Sequence, residues 1–343
     1  MESESLPLVS VVIPMRNEER YIGRCLESLA GQDYPRQRLE VIVVDGESSD
    51  GSRQVVDGFG QGALPGLRLL SNPIGTTPRG LNIGIQEAGG DVIIVLGAHS
   101  EVEPSFLGEN VRALLDSDAD CVGGPITSVG DGLVGGAIAL AMSSPFGVGD
   151  ALFRYSRRRQ WVETVAFGAY RREVFQRIGL FAEDLVGDED TEFHYRLAEA
   201  GGKILLTPEI KSVYYPRSSL AALFRQYLSY GSAKVKVARR YPHRLRLRAL
   251  VPGAFVATLA VSGALAILHR RAGWLFGLVA GSYAFASFLV SFAVASRRGW
   301  RYLPVLPVVF VCIHFAYGLG FLGGLARLLL SMSLSGAKGR GRR

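Results

Sequence analysis

The chain has 343 residues, 48% of them apolar, with a mean hydropathy of +0.21, which excludes a disordered chain. Three scattered cysteines (Cys25, Cys121, Cys312) exclude a disulfide scaffold and suit a reducing compartment. The net charge of +7 does not signal nucleic-acid binding, because residues 1–209 hold all 31 acidic side chains against 18 Lys/Arg, whereas 210–343 hold 20 Lys/Arg and no acid.

The N-terminal region reads as an α/β domain. Met1–Leu8 is short and acidic, so no signal peptide is expected. Leu8–Pro14 is an apolar run that reads as a buried strand. Asn17–Ala30 has helical periodicity, with Tyr21, Ile22, Cys25, Leu26 and Leu29 on one face. Leu39–Val44 is a second strand ending at Asp45, followed by a Gly-Glu-Ser-Ser-Asp-Gly turn whose Ser49 or Asp50 can cap the next helix. Leu67–Leu70 predicts a short strand, Thr77–Ala88 a helix with Pro78 in its first turn, and Asp91–Leu96 another buried strand. Strands alternating with helices predict a mostly parallel sheet covered on both faces, with ligands at the carboxyl ends of the strands. That gathers Pro14–Glu18, Asp45–Asp50 and Gly97–Glu101. Further on, Asp188-Glu189-Asp190 precedes a predicted helix over Thr191–Ala200.

The C-terminal region reads as a membrane domain. Lys234, Lys236, Arg239, Arg240, Arg244, Arg246 and Arg248 form the densest basic cluster, which places the N-terminal domain in the cytoplasm and suits anionic headgroups. Residues 250–268, 272–296 and 302–326 carry no charge and match the roughly 20 residues that cross a hydrocarbon core. Pro304, Pro307 and His314 in the third suggest a kinked or re-entrant segment, and its glycines (Gly318, Gly320, Gly323, Gly324) suit close helix packing. Three spans leave the C-terminus outside, yet it is basic (Lys338, Arg340, Arg342, Arg343), so two effective spans remain an alternative. The expected organisation is a cytoplasmic domain over 1–232, a basic juxtamembrane segment over 233–249, a membrane domain over 250–330 and a basic tail over 331–343, in the inner (plasma) membrane.

The runs VSVVIPMRNEERYIGRCLESLAGQDYP and LEVIVVDGESSDGS, followed by GAYRREVF and GLFAEDLVGDEDTEFHYRLAEAGGKILLTPEIKSVYYPRSSLAALFRQYLSYG, resemble family 2 inverting glycosyltransferases. Within them they resemble the ExoA-like branch of succinoglycan and exopolysaccharide glucosyltransferases. The similarity covers about residues 8–240 and implies a GT-A nucleotide-diphospho-sugar transferase domain.

The resemblance implies roles for individual residues. Asp190 matches the general base that deprotonates the acceptor hydroxyl, and clustered carboxylates raise a pKa as such a base needs. Glu189 would orient a neighbour or meet the acceptor. Asp45 would contact the nucleoside, with Pro14, Asn17 and Glu18 lining the first loop, although Asn17 reads equally as a helix start. Arg79 reads either as a diphosphate ligand or as a solvated helix charge. Members of the family place Asp-x-Asp where this chain has Gly97-Ala98-His99. His99 matches the metal-holding third position of the ExoA-like branch, Gly97 departs from the pattern, and Glu101 is a substitute carboxylate if the strand continues. A divalent cation, Mn2+ or Mg2+, is therefore expected with a weakened protein ligand set. His194 lies one turn beyond Asp190 and would touch the acceptor or cap the pocket. Arg217, Arg225 and Gln226 are candidates for a diphosphate of donor or lipid carrier. Ser229 and Tyr230 stand where processive relatives carry Arg and Trp, which counts against a polymer synthase.

The implied reaction is transfer of a hexose, glucose foremost, from a UDP-sugar to a polyprenyl-diphosphate-linked saccharide in exopolysaccharide or envelope glycan synthesis. Membrane lipids and other polysaccharide-assembly enzymes would be partners, and no nucleic acid. The alternatives are transfer onto polyprenyl phosphate itself, or a donor-silent scaffold. A nucleotidyltransferase is disfavoured, because the loop after the first strand is Pro-Met-Arg-Asn-Glu rather than Gly-rich and basic.

Overall fold

The computed structural model describes residues 6–59 and 62–340; side chains from 334 onward, including the basic C-terminal cluster, lie outside the described residues. The chain divides into two compact units, the first up to Val129 and again over Asp150–Pro216, the second over Gly130–Gly149 and from Arg217 onward.

The first unit opens with β1 (Val9–Met15), α1 (Ile22–Ala30), β2 (Leu39–Asp45), α2 (Ser52–Phe59), β3 (Leu67–Ser71), α3 (Thr77–Glu87) and β4 (Val92–Val95). These strands pair in parallel in the order β3-β2-β1-β4. Alternate residues feed opposite layers: Val9, Val11 and Ile13 join one core, while Val12 joins the other with Ile42 and Val44. Burial on both faces is why these strands read as unbroken apolar runs. The helix expected from Asn17 begins only at Ile22, because Asn17 adopts a left-handed backbone (φ 54) that a helix cannot contain.

After β4 come β5 (Ser100–Val102), α4 (Phe106–Leu115), β6 (Cys121–Gly124) and β7 (Ile126–Ser128). The chain then passes through α5 (Gly132–Met142) and α6 (Pro145–Val148) of the second unit. It returns with β8 (Gln160–Trp161), β9 (Ala166–Arg171), α7 (Arg172–Ile178), α8 (Glu189–Glu199), β10 (Ile204–Leu206) and β11 (Ser212–Tyr214). Strand β9 inserts antiparallel between β4 and β6, so the eight-stranded sheet is mixed beyond its parallel half. Strands β5, β11 and β7 form a separate small sheet.

The second unit contains α9 (Leu220–Arg240), α10 (Val251–Ala266), α11 (Arg270–Arg298) and α12 (Leu306–Arg340). Three stretches are long and apolar enough to cross a membrane: Leu247–Ala266, Arg270–Arg298 and Leu306–Ser333. The third is one continuous helix rather than a broken segment. Pro304 precedes it and Pro307 sits in its first turn, where a missing N–H removes no hydrogen bond. Helix α11 is apolar all round, with Leu278 69% and Phe285 65% exposed, a surface better suited to lipid than to water. Trp274 and Trp300 stand near its two ends, as interfacial aromatics do.

The boundary expected at 232 falls inside α9, which runs to Arg240, and short turns over Pro242–Arg244 and Leu247–Leu250 lead from it to α10. Helix α9 packs along α12 through glycines: a Cβ on Gly231 would stand 2.1 Å from the Tyr317 carbonyl oxygen, and one on Gly320 would stand 2.1 Å from that of Leu228. Only backbone fits there, so the glycines of the third span do set a close helix contact.

Candidate active site

The carboxyl ends of β1 and β2 carry a hydrogen-bonded pair of loops. Left-handed Asn17 donates its N–H to Ser48 Oγ (2.9 Å), and its Oδ1 accepts the N–H of Ser49 (2.8 Å). Glu18 donates its N–H to Ser52 Oγ (2.8 Å), and that hydroxyl donates to Asp50 Oδ1 (2.5 Å). Asp50 also accepts the Ser52 N–H (3.0 Å), so it caps the start of α2. Asn17 thus latches two loops; Pro14 is paired beside Val44 at the end of β1.

Asp45 ends β2 and is buried. Its Oδ2 receives Arg53 Nη1 at 2.8 Å, and the Ser48 N–H points at the carboxylate from 3.3 Å. No motif marks Arg53, since helix α2 brings it back to the strand end only in three dimensions. The pairing offsets the cost of burying the Asp45 charge at a strand end where a ligand can approach.

Glu18 and His99 come together: Glu18 Oε1 lies 3.0 Å from His99 Nδ1. The His99 ring also meets Tyr214 edge-on at 5.2 Å. Glu101 does not join them. Strand β5 begins at Ser100, so the strand geometry assumed from His99 to Glu101 fails. Glu101 instead accepts the Tyr215 hydroxyl (2.7 Å) and faces Arg24 (3.8 Å). Tyr214 and Tyr215 are consecutive on the chain, so His99 and Glu101 follow neighbouring side chains that point apart. Among the described residues no three His, Cys, Asp or Glu side chains gather as a metal site. What is present fits a single protein ligand: a histidine whose Nδ1 is held by a carboxylate presents Nε2 to a metal, the usual support for such a ligand.

Gly97 lies under the ring of Phe167, and a Cβ at 97 would stand 3.2 Å from Phe167 Cε1. Phe167 adopts a left-handed backbone (φ 51) that costs free energy for a non-glycine residue. An aromatic ring therefore covers the backbone at the position where the family resemblance predicts a carboxylate.

The acidic run forms a second cluster at the head of α8. Gly187, with φ 97, turns the chain into it. Glu189 is buried and its Oε2 accepts the Gly187 N–H (2.6 Å); burial raises its pKa. Asp188 Oδ1 accepts the Thr191 hydroxyl (2.7 Å). Solvent reaches Asp190, while protein crowds its remaining sides. That crowding, with repulsion from Glu189 and Asp188, raises its pKa above the ordinary carboxylate value.

One expectation is corrected here. His194 is completely buried and cannot meet an acceptor: it bonds Tyr170 Oη (2.8 Å) and Thr164 Oγ1 (3.0 Å), and burial lowers its pKa to about 3, leaving it neutral. Arg79 remains a largely solvated helix charge, its side chain 43% exposed, and pairs with Glu183 (3.0 Å), which also accepts Asn82 Nδ2 (2.9 Å). Arg217, Arg225 and Gln226 belong to the second unit; Arg217 and Arg225 are exposed, and Gln226 Nε2 donates to Tyr230 Oη (2.8 Å).

The family model "Glycosyl transferase family 2" matches residues 10–179. The succinoglycan biosynthesis protein ExoA of Rhizobium meliloti is 31% identical over 94% of this chain and 96% of its own. The chain belongs to the family 2 glycosyltransferases. A second relative of this glycosyltransferase is the dolichyl N-acetyl-alpha-D-glucosaminyl phosphate 3-beta-D-2,3-diacetamido-2,3-dideoxy-beta-D-glucuronosyltransferase of Methanococcus voltae. It is 28% identical over 93% of this chain and 97% of its own. The mannosyltransferase PcManGT of Pyrobaculum calidifontis, solved with GDP-Man and Mn2+, superposes with a TM-score of 0.58 at 21% identity, covering 93% of this chain and 88% of that one. That likeness shows the GT-A fold of the transferase.

Proposed function

We propose that this family 2 glycosyltransferase is an inverting, membrane-anchored enzyme facing the cytoplasm of the plasma membrane. It transfers a hexose, glucose foremost, from a UDP-sugar to a saccharide carried on a polyprenyl diphosphate, for an exopolysaccharide or similar envelope glycan. The observation that carries the reading is Asp190, a solvent-reached carboxylate with a raised pKa at the head of α8. Such a group accepts a proton near neutral pH. The M. voltae relative supports a lipid-linked sugar as acceptor rather than bare polyprenyl phosphate, since its name places a sugar already on the lipid phosphate.

In this mechanism the acceptor hydroxyl gives its proton to Asp190 as its oxygen bonds to the anomeric carbon. The bond from that carbon to the diphosphate oxygen breaks on the opposite face, and the nucleoside diphosphate leaves with the electron pair. One displacement converts an α-linked donor into a β-linkage. Asp45, held by Arg53, would accept from the nucleoside. His99, with Glu18 on its Nδ1, would hold a divalent cation through Nε2. That cation, when bound, offsets charge developing on the diphosphate.

The test is turnover by the full-length protein in detergent against UDP-, GDP- and dTDP-sugars, with Mn2+, Mg2+ or EDTA, and with polyprenyl phosphate or a polyprenyl-diphosphate-linked sugar as acceptor. We expect metal-dependent consumption of one donor with the glycosylated lipid alone, lost in Asp190→Asn. Binding of no donor under any metal condition would instead establish a scaffold without transferase activity.

A further inference from the structure

Two enclosed polar atoms sit beside Tyr214, the residue that packs on His99. Arg154, on the short turn Leu152–Arg154 that packs against β7, lays its guanidinium over the Tyr214 ring at 5.2 Å. Its Nη1 is shielded from solvent and has no hydrogen-bond partner among the described residues. Ser128 is the register partner of Tyr214 across the small sheet, and its Oγ is likewise shielded and without a partner among the described residues. A shielded guanidinium N–H and a hydroxyl left unbonded are costly, and a bound ligand is one way in which such groups are satisfied. Both can donate, and the guanidinium carries a fixed positive charge. A polyanion is the complementary ligand. The Tyr214 ring also touches that of His99, the residue assigned above to a cation at the donor diphosphate.

We infer that Arg154 and Ser128 bind the diphosphate of the nucleotide-sugar donor. Among the described residues no cluster of three His, Cys, Asp or Glu side chains gathers there to hold a metal, and Arg154 supplies positive charge in its place. The inference rests on the glycosyltransferase reading of the site. It adds two binding residues that no motif marks, drawn from β7 and from the turn that follows α6. Tyr214 touches both the guanidinium and the imidazole and so fixes the one relative to the other. The charge is of the kind that stabilises a departing diphosphate, because it is fixed in place before the bond breaks.

The experiment measures equilibrium binding of UDP, UMP and uridine, or of the corresponding series for the base the enzyme accepts, to the full-length protein in detergent. Arg154→Gln, Arg154→Met, Arg154→Lys and Ser128→Ala are compared with the unaltered chain. We expect Arg154→Gln and Arg154→Met to weaken the nucleoside diphosphate about 10- to 100-fold, while the nucleoside changes less than about two-fold. Arg154→Lys should fall between, since it keeps the charge and loses the fork. Ser128→Ala should cost about 3- to 10-fold. Arg154→Met should melt no lower than the unaltered protein, because it removes a shielded unpaired charge. The inference is overturned by diphosphate affinity within two-fold in both neutral variants. It is overturned equally by parallel losses for diphosphate and nucleoside, which would make Arg154 a packing residue. A defect confined to the polyprenyl-diphosphate acceptor would assign the pair to the lipid and overturn the donor assignment. Failure of the unaltered chain to bind any nucleoside diphosphate would strike the glycosyltransferase reading itself, and so is distinguishable from these.

Discussion

The two units of this protein use the same residue, glycine, for opposite purposes. At the sheet ends, Gly187 supplies a left-handed turn into the acidic cluster, and Gly97 leaves its Cβ position to the ring of Phe167. In the helical unit, Gly231 and Gly320 adopt ordinary helix geometry and serve only to let backbones touch. Polar groups divide in the same way. The first unit spends its carboxylates on loop latches, ion pairs and the cluster at the head of α8, whereas the second holds Asp131 and no Asp or Glu from Arg217 onward. A catalytic unit needs charge held at chosen points, and a unit solvated by lipid needs backbone satisfied within helices and surfaces free of charge. A substitution should therefore damage chemistry in one unit and assembly in the other.

The largest expected effect is on the chemical step. Asp190→Asn should lower turnover by about 10²- to 10⁴-fold, the range a general base supplies, with donor affinity little changed. Because the substitution removes a carboxylate repelled by Glu189 and Asp188, thermal unfolding in detergent should occur no lower. Equal loss of donor binding and turnover would show that Asp190 holds the donor instead, and the contrast between the units would lose its chemical half.

Next comes Glu18→Gln. A carboxylate that orients a metal-binding histidine is worth about 10- to 100-fold in metal affinity, so the Mn2+ concentration for half-maximal donor binding should rise by that factor. EDTA should then inhibit the variant at lower concentration than the unaltered enzyme. An unchanged metal titration would leave the 3.0 Å contact of Glu18 with His99 as a structural one.

On the helical side, Gly320→Leu forces a side chain against the Leu228 carbonyl. It should cost about 1–3 kcal/mol of stability, read as a lower melting temperature in detergent, while donor affinity stays within two-fold. A matching loss of donor affinity would mean that the two units are not separable in this way.

The smallest effect sharpens the role of the acidic cluster. The base must be ionised to act, and a raised pKa holds its proton to higher pH, so kcat/KM should climb with pH along a limb above the ordinary carboxylate range. Glu189→Gln removes one repelling charge and should move that limb down, toward ordinary carboxylates. A limb that stays in place would assign the shift to enclosure alone, the larger of its causes.

Local pattern carried much of the fold. Strands β1, β2 and β4 are apolar runs because both faces of the sheet are covered, and α3 begins where Thr76, Thr77 and Pro78 predict. Asp45 and Asp190 were legible because each ends or opens an element within a recognisable motif. The pairing of Asp45 with Arg53, the enclosure of His194 and the turning of Glu101 toward Tyr215 were not. Each depends on which element packs opposite, and no residue within one helical turn or strand repeat reports it.

The sequence by itself determined the alternation of strands and helices, the segregation of charge and the three apolar stretches. These follow from periodicity and from the free energy of moving side chains between water and an apolar medium, which each segment expresses on its own. Tertiary structure alone decided that 130–149 belongs with the helical unit, that Phe167 covers Gly97, and that Arg154 and Ser128 meet at Tyr214. Those arrangements join residues tens of positions apart, and only packing of the completed chain brings their side chains within reach of one another.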